Sequence, residues 1–356
     1  MENGPLSDSP SRARRALVAC IVAVSIGIIA WLKQLQLPAS QVAGDYTFHW
    51  RAARALLDGQ SPYEVIKAVG DYPWNDSYRY PLPAALVVLP LAWLRVKVSA
   101  AAFLGLSSGL LAFAITRDGF HRLLAFASVT FIFCFSGAQL TPMLMGSALL
   151  PAVGGLLITK PNIGLALFAG WPNRYAAAGC VALTLISVAI RPHWPIEWLA
   201  AVRAHTSAEG NYTSPISIIG GPVLLLAALR WRRPEARLLL GMTLVPQSFF
   251  FYDQFPLALI PRSRREYTAF GALTVAALLI ARRLIPTPEV SIAATTHTVA
   301  TVFLYSMFLP CLIMVLLRPN EGEIPQWLEQ TIRRWPSWLR GNSSSGKRIP
   351  VRVGDH

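Results

Sequence analysis

The amino-acid sequence predicts an all-helical protein that crosses a membrane many times. Of its 356 residues, 54% are hydrophobic and 14% are charged, and the mean hydropathy is +0.44. A soluble protein of this length would carry about 25% charged residues, and it could not bury so many apolar side chains. Because a membrane-spanning helix needs about 20 mostly apolar residues, the apolar runs of this chain predict transmembrane segments.

The individual apolar runs predict about nine to eleven transmembrane or re-entrant helices. The clear candidates are residues 16–32, 98–116, 121–137, 175–190, 216–229, 267–281 and 297–317. Shorter or interrupted runs are residues 82–94, 142–158, 162–171 and 238–251. Pro142, Pro151 and Pro161 break one of these stretches. Broken helices are tolerated at membrane depth where protein covers them or where they line a cavity, so this stretch predicts a cavity.

The membrane domain is predicted to cover residues 16–317, between an N-terminal tail at 1–15 and an amphipathic or disordered C-terminal tail at 318–356. Three arginines close to the first apolar run favour a cytoplasmic N-terminus. The first run then delivers the loop at 33–80 to the extracytoplasmic face. A second soluble loop is predicted at 191–215.

The loop at 33–80 contains Asp45, which lies shortly after the first apolar run. Residues 46–57 predict an interfacial helix, which Gly59 and Pro62 end. A carboxylate in a loop rich in aromatic rings suits a general base that acts on a sugar-sized substrate. A solvated loop acid is the alternative interpretation of the same residue.

The net charge of +14 invites the hypothesis of a nucleic-acid partner, but the distribution of the basic residues argues against it. Basic residues gather in short clusters between apolar runs, as positive-inside topology and contact with anionic lipid headgroups would produce. These clusters lie at residues 12–15, 95–97, 230–233, 262–265 and 282–283. Counting spans leaves open whether residues 117–122 and 262–265 lie on the same side of the membrane.

The sequence contains no motif for a metal ion or a soluble cofactor. The four cysteines each lie inside an apolar run without C-x-x-C spacing, so neither a disulfide nor a thiolate metal site is predicted. The six histidines form no H-E-x-x-H pair, and no Walker loop or G-x-G-x-x-G sequence occurs. We therefore expect no metal ion and no ATP or dinucleotide cofactor.

Several spaced motifs extend from the Asp45 loop into the next apolar run. They are Gly44-Asp45, Ala53-x-x-Leu56-Leu57-x-Gly59-Gln60-x-Pro62-Tyr63, Tyr80-Pro81-Leu82-Pro83 and Leu89-Pro90-Leu91. Together they resemble the opening of glycosyltransferase family 87. The members of that family are polyprenyl-phosphate-sugar-dependent mannosyltransferases of the multi-span C-type glycosyltransferase superfamily. The resemblance extends over about residues 44–283 and implies the C-type glycosyltransferase fold.

Three later motifs are similar to further elements of the family. Gln139 lies in a segment that resembles the family's Gly-Gln-x-Asn element, with an inserted Ala138 and with Thr141 in place of the Asn. The sequence Lys160-Pro161-Asn162 looks like its Lys-Pro-Gln element. The sequence Tyr252-Asp253-Gln254 resembles its late aspartate motif.

The resemblance implies transfer of a hexose, expected to be mannose, from a polyprenyl-phosphate-sugar donor to a hydroxyl group of a lipid or glycan acceptor. The acceptor oxygen must lose its proton as it attacks the anomeric carbon, and a positioned carboxylate can take that proton. Asp45 is the expected general base, and Asp253 is a second expected catalytic residue. Counting from Arg237 puts Asp253 about 24 Å into a hydrocarbon core of about 30 Å, towards the face that carries Asp45.

Polar and aromatic residues near these acids are the expected substrate-binding groups. His49 lies one helical turn from Asp45, so the two side chains can share a face. The donor phosphate needs a cation, and Lys160 is a candidate because it lies alone in a long apolar stretch. Arg191 and the cluster at 262–265 are alternatives. The full expected set is Tyr46, His49, Tyr63, Tyr80, Gln139, Lys160, Asn162, Arg191, His193 and Tyr252.

The expected location is a bacterial plasma membrane, with the active site on the extracytoplasmic side and with membrane lipids as partners. Two other interpretations stay open. A transporter or flippase for lipid-linked sugars would also use intramembrane Lys160 and Asp253, although the sequence shows no clear inverted repeat. A catalytically inactive scaffold that binds glycolipid would be consistent with the departures around Gln139.

Overall fold

The structure, a computed structural model, describes residues 10–38, 42–67, 77–209, 212–285 and 292–322. Within these residues the chain forms helices and turns and contains no strand, apart from a single bridge between Thr213 and Gln247. The predicted all-helical class is therefore confirmed. Most of the predicted amphipathic tail, including residues 325–340, lies outside the described residues.

The helices differ widely in length. The α-helices are α1 (Arg12–Gln36), α2 (Tyr46–Leu57), α3 (Pro62–Val65), α4 (Leu82–Val88), α5 (Val96–Ile115), α6 (Val129–Ser136), α7 (Thr141–Leu149), α8 (Pro161–Gly170), α9 (Arg174–Ile190), α10 (Trp194–Glu209), α11 (Pro234–Leu244), α12 (Arg264–Leu284), α13 (Ile292–Phe303) and α14 (Leu309–Leu316). Segments of 3₁₀ helix cover Leu89–Leu91, Thr116–Asp118, Phe120–Ala127, Pro151–Thr159, Pro215–Ser217, Gly221–Arg230 and Phe251–Leu259. A short π-helix, Leu304–Phe308, joins α13 to α14.

The number of helices long enough to span a membrane is smaller than the sequence predicts. Among the described residues, four helices are long and apolar enough: Arg12–Gln36, Val96–Asp118, Arg264–Leu284 and His297–Leu316. Two bent pairs raise the number to six if each pair is one span, α6 with α7 at 117° and α9 with α10 at 99°. The other predicted runs form short α-helices or 3₁₀ helices, which are too short to cross a membrane on their own. These apolar helices indicate a membrane protein.

Small residues bring α1 and α5 into close contact. A methyl group added to Gly105 would lie 2.6 Å from the carbonyl oxygen of Ala23 and 3.2 Å from the Cα of Gly27. Helices in membranes pack closely through such small residues, because lipid supplies no hydrophobic force between them. The opposite face of α1 carries exposed apolar side chains, including Leu17 and Ile21, as expected of a helix whose outer face meets lipid.

The two ends of α1 mark two ends of the molecule. Near its beginning, the Arg15 side chain donates a hydrogen bond to the carbonyl of Phe113 at the end of α5, at 2.6 Å. Near its end, Gln34 accepts a hydrogen bond from the backbone N–H of Ala43 at 2.7 Å. Arg15 and Gln34 are about 28 Å apart at 1.5 Å per residue. Helices α1 and α5 are therefore antiparallel, and the residues around Asp45 lie far from Arg15.

Two basic clusters lie at the same end of the molecule, although counting the predicted spans left their sides of the membrane open. His121 donates a hydrogen bond to the carbonyl of Arg262 at 2.7 Å, so the clusters at 117–122 and 262–265 are neighbours. Arg117 also lies close enough to Arg15 to interact with it electrostatically. We call this region, with Arg15, Arg117, His121 and Arg262, the basic end, and the opposite region the Asp45 end.

Candidate active site

Asp45 is held by a tight backbone contact with a segment far along the chain. Its N–H donates a hydrogen bond to the carbonyl of Gly137 at 2.9 Å. The preceding residues, Ala43 and Gly44, have φ values of 62° and 48°, in the left-handed region. A Cβ at Gly44 would lie 2.8 Å from the backbone of Gly137, so only glycine fits there. Asp45 then directly precedes α2, and the sequence-predicted bounds of this helix, residues 46–57, are confirmed.

Gln139 supplies the side-chain partner of Asp45. Its amide N–H donates a hydrogen bond to Oδ2 of Asp45. Gln139 lies in the break between α6 and α7, and Ala138 beside it has a φ of 48°. The sharp bend of 117° between these helices turns the Gln139 side chain towards Asp45. The break between the two helices thus brings a polar side chain to the site. In a continuous helix the backbone polar groups here would be hydrogen-bonded within the helix.

Burial raises the pKa of Asp45 above its ordinary value, while the hydrogen bond from Gln139 and the positive charge of Lys160 act in the opposite direction. The residue itself is partly exposed. A carboxylate with a raised pKa is a better proton acceptor than one with an ordinary pKa, provided that it is still ionised at the working pH. Asp45 therefore combines access with basicity.

A buried ion pair between Lys160 and Asp253 forms the second part of the site. Lys160 Nζ lies 2.5 Å from Oδ1 of Asp253, and the Ser248 hydroxyl donates a hydrogen bond to Oδ2 at 2.7 Å. Lys160 Nζ also lies 5.1 Å from the centre of the Tyr252 ring, within the range of a cation–π contact. Lys160 directly precedes α8, where Pro161 opens the helix. Pro161 is the last of the three prolines that break this stretch.

The ion pair and Asp45 belong to one site. The charges of both Lys160 and Asp253 act on the Asp45 carboxylate, which requires that the three groups lie near each other. Tyr80 also interacts electrostatically with both Asp45 and Lys160. Residues from the first loop, from the two helix breaks and from the 3₁₀ segment Phe251–Leu259 thus converge. Hydropathy alone predicted the breaks but not this convergence.

An aromatic cluster lies beside Asp45. The His49 ring contacts the Tyr80 ring edge-on, with centroids 4.3 Å apart. Tyr78 lies 5.4 Å from Tyr63 and 6.0 Å from Tyr80, centroid to centroid. The Tyr63 hydroxyl donates a hydrogen bond to the carbonyl of Tyr80 at 2.9 Å. We call His49, Tyr63, Tyr78 and Tyr80 the aromatic cluster.

His49 is neutral at physiological pH. Burial, and secondarily the positive charge of Lys160, lowers its pKa from 6.5 to about 3. Its Nδ1 atom is buried and has no hydrogen-bond partner among the described residues. The ring therefore acts through its shape and its neutral nitrogen atoms, and not as an acid at neutral pH.

Three of the expected binding residues have surroundings other than the Asp45 carboxylate. Tyr46 is fully buried: its ring stacks on Phe103 at 4.8 Å and its hydroxyl lies 2.7 Å from that of Ser99, so it packs in the core. Asn162 donates a hydrogen bond to the carbonyl of Pro246 at 3.0 Å. His193 is exposed on the turn before α10.

Arg191 belongs to a separate polar cluster that ties the first loop to α10. It makes two hydrogen bonds of 2.9 Å to Glu197 and lies 3.5 Å from Glu64. Ser61 donates a third hydrogen bond to Glu197 at 3.2 Å. Arg191 therefore has two carboxylate partners already. The predicted soluble loop at 191–215 is largely the helix α10 in the structure.

Three residues of the site carry no motif that the sequence could have flagged. Ser248 binds Asp253, and its sequence position next to Gln247 and Phe249 gives no signal. Tyr212 interacts electrostatically with Lys160, although it follows a segment with no distinguishing pattern. Tyr78 lies in the aromatic cluster. Its position two residues before Tyr80 is the one feature of the sequence that connects it with the site.

The chemistry of the site follows from a partly exposed carboxylate, a buried lysine and a set of rings. The described residues contain no group of three or more His, Cys, Asp or Glu side chains that could hold a metal ion. No protein-family model, curated protein or solved structure matches the chain.

Proposed function

We propose that this protein is a membrane glycosyltransferase in which Asp45 is the general base. It transfers a hexose, mannose in the first instance, from a polyprenyl-phosphate donor to a hydroxyl group of a lipid or glycan acceptor. The observation that carries the proposal is the state of Asp45. This carboxylate is partly exposed, has a raised pKa, and is oriented by Gln139.

The charges around Asp45 suit this reaction. The acceptor oxygen forms a bond to the anomeric carbon, the bond from that carbon to the phosphate oxygen breaks, and its electron pair stays on the phosphate. Asp45 takes the acceptor proton. Lys160, whose charge acts on the Asp45 carboxylate, supports the proposal because a cation near the leaving phosphate stabilises its developing charge.

The aromatic cluster suits a sugar as the transferred group. Rings of Tyr63 and Tyr80 are partly exposed, and such rings present apolar faces with a polar hydroxyl at the edge. A hexose has faces made of C–H groups and edges made of hydroxyl groups. His49, which is buried and neutral, packs edge-on against the Tyr80 ring with centroids 4.3 Å apart and so fixes the position of that ring.

The proposed orientation puts the Asp45 end outside the cytoplasm of a bacterium. Support comes from the basic end, where Arg15, Arg117 and Arg262 gather about 28 Å along α1 from the residues around Asp45. Positive clusters of this kind favour the cytoplasmic side. Lipid-linked sugar donors would then approach Asp45 from the outer leaflet.

The first experiment measures sugar transfer from radiolabelled polyprenyl-phosphate-mannose to endogenous acceptors in membranes that contain the wild-type chain or Asp45→Asn. We expect the variant to lose more than about a hundredfold in rate, the scale of a missing general base. Asp58→Asn is the matched control, because Asp58 is an exposed carboxylate at the other end of α2. Its activity should equal that of the wild type.

Two outcomes would overturn the assignment. Equal transfer by the wild type and Asp45→Asn would exclude Asp45 as the base. No transfer from mannose or arabinose donors would exclude the transferase and favour the second candidate, a flippase, for which the buried Lys160–Asp253 pair is the supporting observation. A flippase would move fluorescent lipid-linked sugar across proteoliposomes equally well with Asp45→Asn.

A further inference from the structure

Asp253 differs from Asp45 in its exposure and in its partners. Oδ1 of Asp253 faces Lys160 at 2.5 Å, and Oδ2 accepts a hydrogen bond from Ser248 at 2.7 Å. Its side chain is 2% exposed, whereas the Lys160 side chain is 10% exposed. A group that removes a proton from a substrate hydroxyl must reach within hydrogen-bonding distance of it. Both members of the pair are buried, and Lys160 is the less buried of the two.

The segment that carries Asp253 is fixed by aromatic packing. The Phe251 ring stacks on Phe133 at 4.9 Å and meets Phe303 edge-on at 4.6 Å. Phe250 stacks on Tyr252 at 5.3 Å. Phe249, between Ser248 and this segment, has a φ of 51°, a value that a bulky residue adopts only where its surroundings impose it. Asp253 is therefore held in one place by its neighbours.

Lys160 retains donors for a further anion. An ammonium group has three N–H donors, and the described residues account for one of them, the bond to Asp253. Tyr80 and Tyr212 lie close enough to interact with Lys160 electrostatically. The ammonium group thus has one fixed carboxylate, one aromatic face and polar hydroxyl groups around it, and it lies near Asp45.

We propose that Asp253 is a positioning residue that holds Lys160 in place to bind a phosphate oxygen of the lipid-linked donor. This inference rests on the proposed function and changes the role expected of Asp253 from the sequence. When the bond from the anomeric carbon to the phosphate oxygen breaks, the electron pair remains on the phosphate. Lys160 stabilises that charge, while the acceptor proton goes to Asp45 and not to Asp253.

A double-mutant cycle tests this role directly. Lys160→Met removes the cation, Asp253→Asn removes its partner, and the double variant removes both. If Asp253 acts only through Lys160, the double variant should be no more than about twofold slower than Lys160→Met alone, because contacting residues are not additive. Multiplied losses in the double variant would show an independent role for Asp253 and overturn the proposal.

The pH dependence of the transfer rate separates positioning from proton transfer. With Asp253→Asn, the fall in kcat/KM at acidic pH should persist, since it reports the ionisation of Asp45. Loss of this acidic fall in Asp253→Asn, with its retention in a variant of Asp45, would identify Asp253 as the base. Asp253→Glu, which keeps the charge, should recover at least about a tenth of the wild-type rate.

Binding of the sugar-free product tests the phosphate site without activity. Purified protein in nanodiscs should bind radiolabelled polyprenyl phosphate more tightly than neutral polyprenol, and Lys160→Met should weaken phosphate binding by at least about tenfold. Equal binding of both lipids by the wild type would overturn the site. If the wild type transfers no sugar, the proposed function fails, and this binding comparison alone decides whether the phosphate site stands.

A milder variant covers the case in which Asp253→Asn does not fold. Ser248→Ala removes the hydrogen bond to Oδ2 and leaves the ion pair itself in place. We expect a loss of about three- to tenfold in kcat, with affinity for polyprenyl phosphate reduced less than in Lys160→Met. An unchanged kcat in a folded, monodisperse Ser248→Ala protein would contradict the positioning role.

Discussion

Gln139 donates a hydrogen bond to Oδ2 of Asp45 across 94 positions of sequence. The backbone repeats this link, since the Asp45 N–H binds the carbonyl of Gly137. A side chain and a backbone atom of one helix break thus fix both ends of the same aspartate. The orientation of Asp45 therefore depends on the bend between α6 and α7.

Replacing Gln139 with Met should shift the pH dependence of the proposed sugar transfer. The hydrogen bond from Gln139 lowers the pKa of Asp45, because it stabilises the ionised form. Without it the pKa rises further, so the rate should begin to fall at a higher pH on the acidic side. We also expect a loss of about tenfold at neutral pH through poorer orientation. Gln60→Met, in the exposed turn after α2, is the control. An unshifted acidic limb would contradict the role of Gln139.

Gly44→Ala should disrupt the site, whereas Gly59→Ala should be tolerated. Both glycines have positive φ values, 48° and 70°, so each alanine costs about 1–2 kcal/mol of backbone strain. Only at Gly44 would the new Cβ also lie 2.8 Å from the Gly137 backbone, while nothing lies within 4 Å at Gly59. The thermal unfolding midpoint and the transfer rate should both decrease more in Gly44→Ala than in Gly59→Ala. Equal behaviour of the two variants would mean that the close contact is unimportant.

Gly105→Leu should separate α1 from α5. Its side chain would meet the carbonyl of Ala23 and the backbone of Gly27, which cannot move apart without breaking the helix contact. Gly271→Leu is the matched control in α12, because a Cβ there meets nothing within 4 Å. Thermal unfolding in detergent should show a clear decrease in midpoint for the first variant and little change for the second. The opposite order would contradict the packing described for α1.

His49 should make the protein less stable as the pH falls below neutral. Its pKa is about 3 in the folded protein and 6.5 ordinarily, so only the unfolded chain takes up a proton between these values. Stability is therefore complete above pH 6.5 and is lost progressively towards pH 3. The loss at pH 5 is about 2 kcal/mol for a pKa difference of this size. His49→Phe should reduce the difference between unfolding midpoints at pH 7 and pH 5, while exposed His193→Phe should leave it unchanged.

Chemical labelling should put the two ends of the molecule on opposite sides of the membrane. In a chain whose four native cysteines are serines, Asp58→Cys should react with a membrane-impermeant maleimide in intact cells. Arg117→Cys and Arg264→Cys, at the basic end, should react only after permeabilisation. All three positions are exposed, so accessibility within the protein does not decide the result. Labelling of Asp58→Cys only after permeabilisation would reverse the proposed orientation.

The local elements of the fold were predictable from the sequence because their signals are local. The bounds of α2 follow from its amphipathic pattern and from Gly59 and Pro62, which end it. The first and last long apolar runs likewise coincide with helices in the structure, Arg12–Gln36 and His297–Leu316. Hydropathy overestimated the number of spans, because it does not distinguish a spanning α-helix from an apolar 3₁₀ segment such as Pro151–Thr159.

The partners within the candidate site were not predictable, because each pair joins distant positions. Lys160 and Asp253 are 93 positions apart, and the sequence suggested phosphate binding for Lys160 and catalysis for Asp253, but not that they pair. Tyr46 adjoins Asp45 and was expected to bind substrate, but its helical position turns it towards Phe103 in the core. Pairing and direction are properties of packing, and a single sequence carries little information on either.

The left-handed alanines beside the site offer a route to stabilisation that leaves every polar side chain unchanged. Ala43 and Ala138 flank Asp45 and Gln139, and each carries the steric cost of a Cβ at positive φ. Glycine at either position would relieve that cost in the folded chain. It would also raise the conformational entropy of the unfolded chain and make the loop more flexible. Measuring thermal stability and the rate of the proposed transfer in these variants would show how far that rate depends on a rigid loop. The same substitutions could yield a more durable protein for structural work with bound lipid.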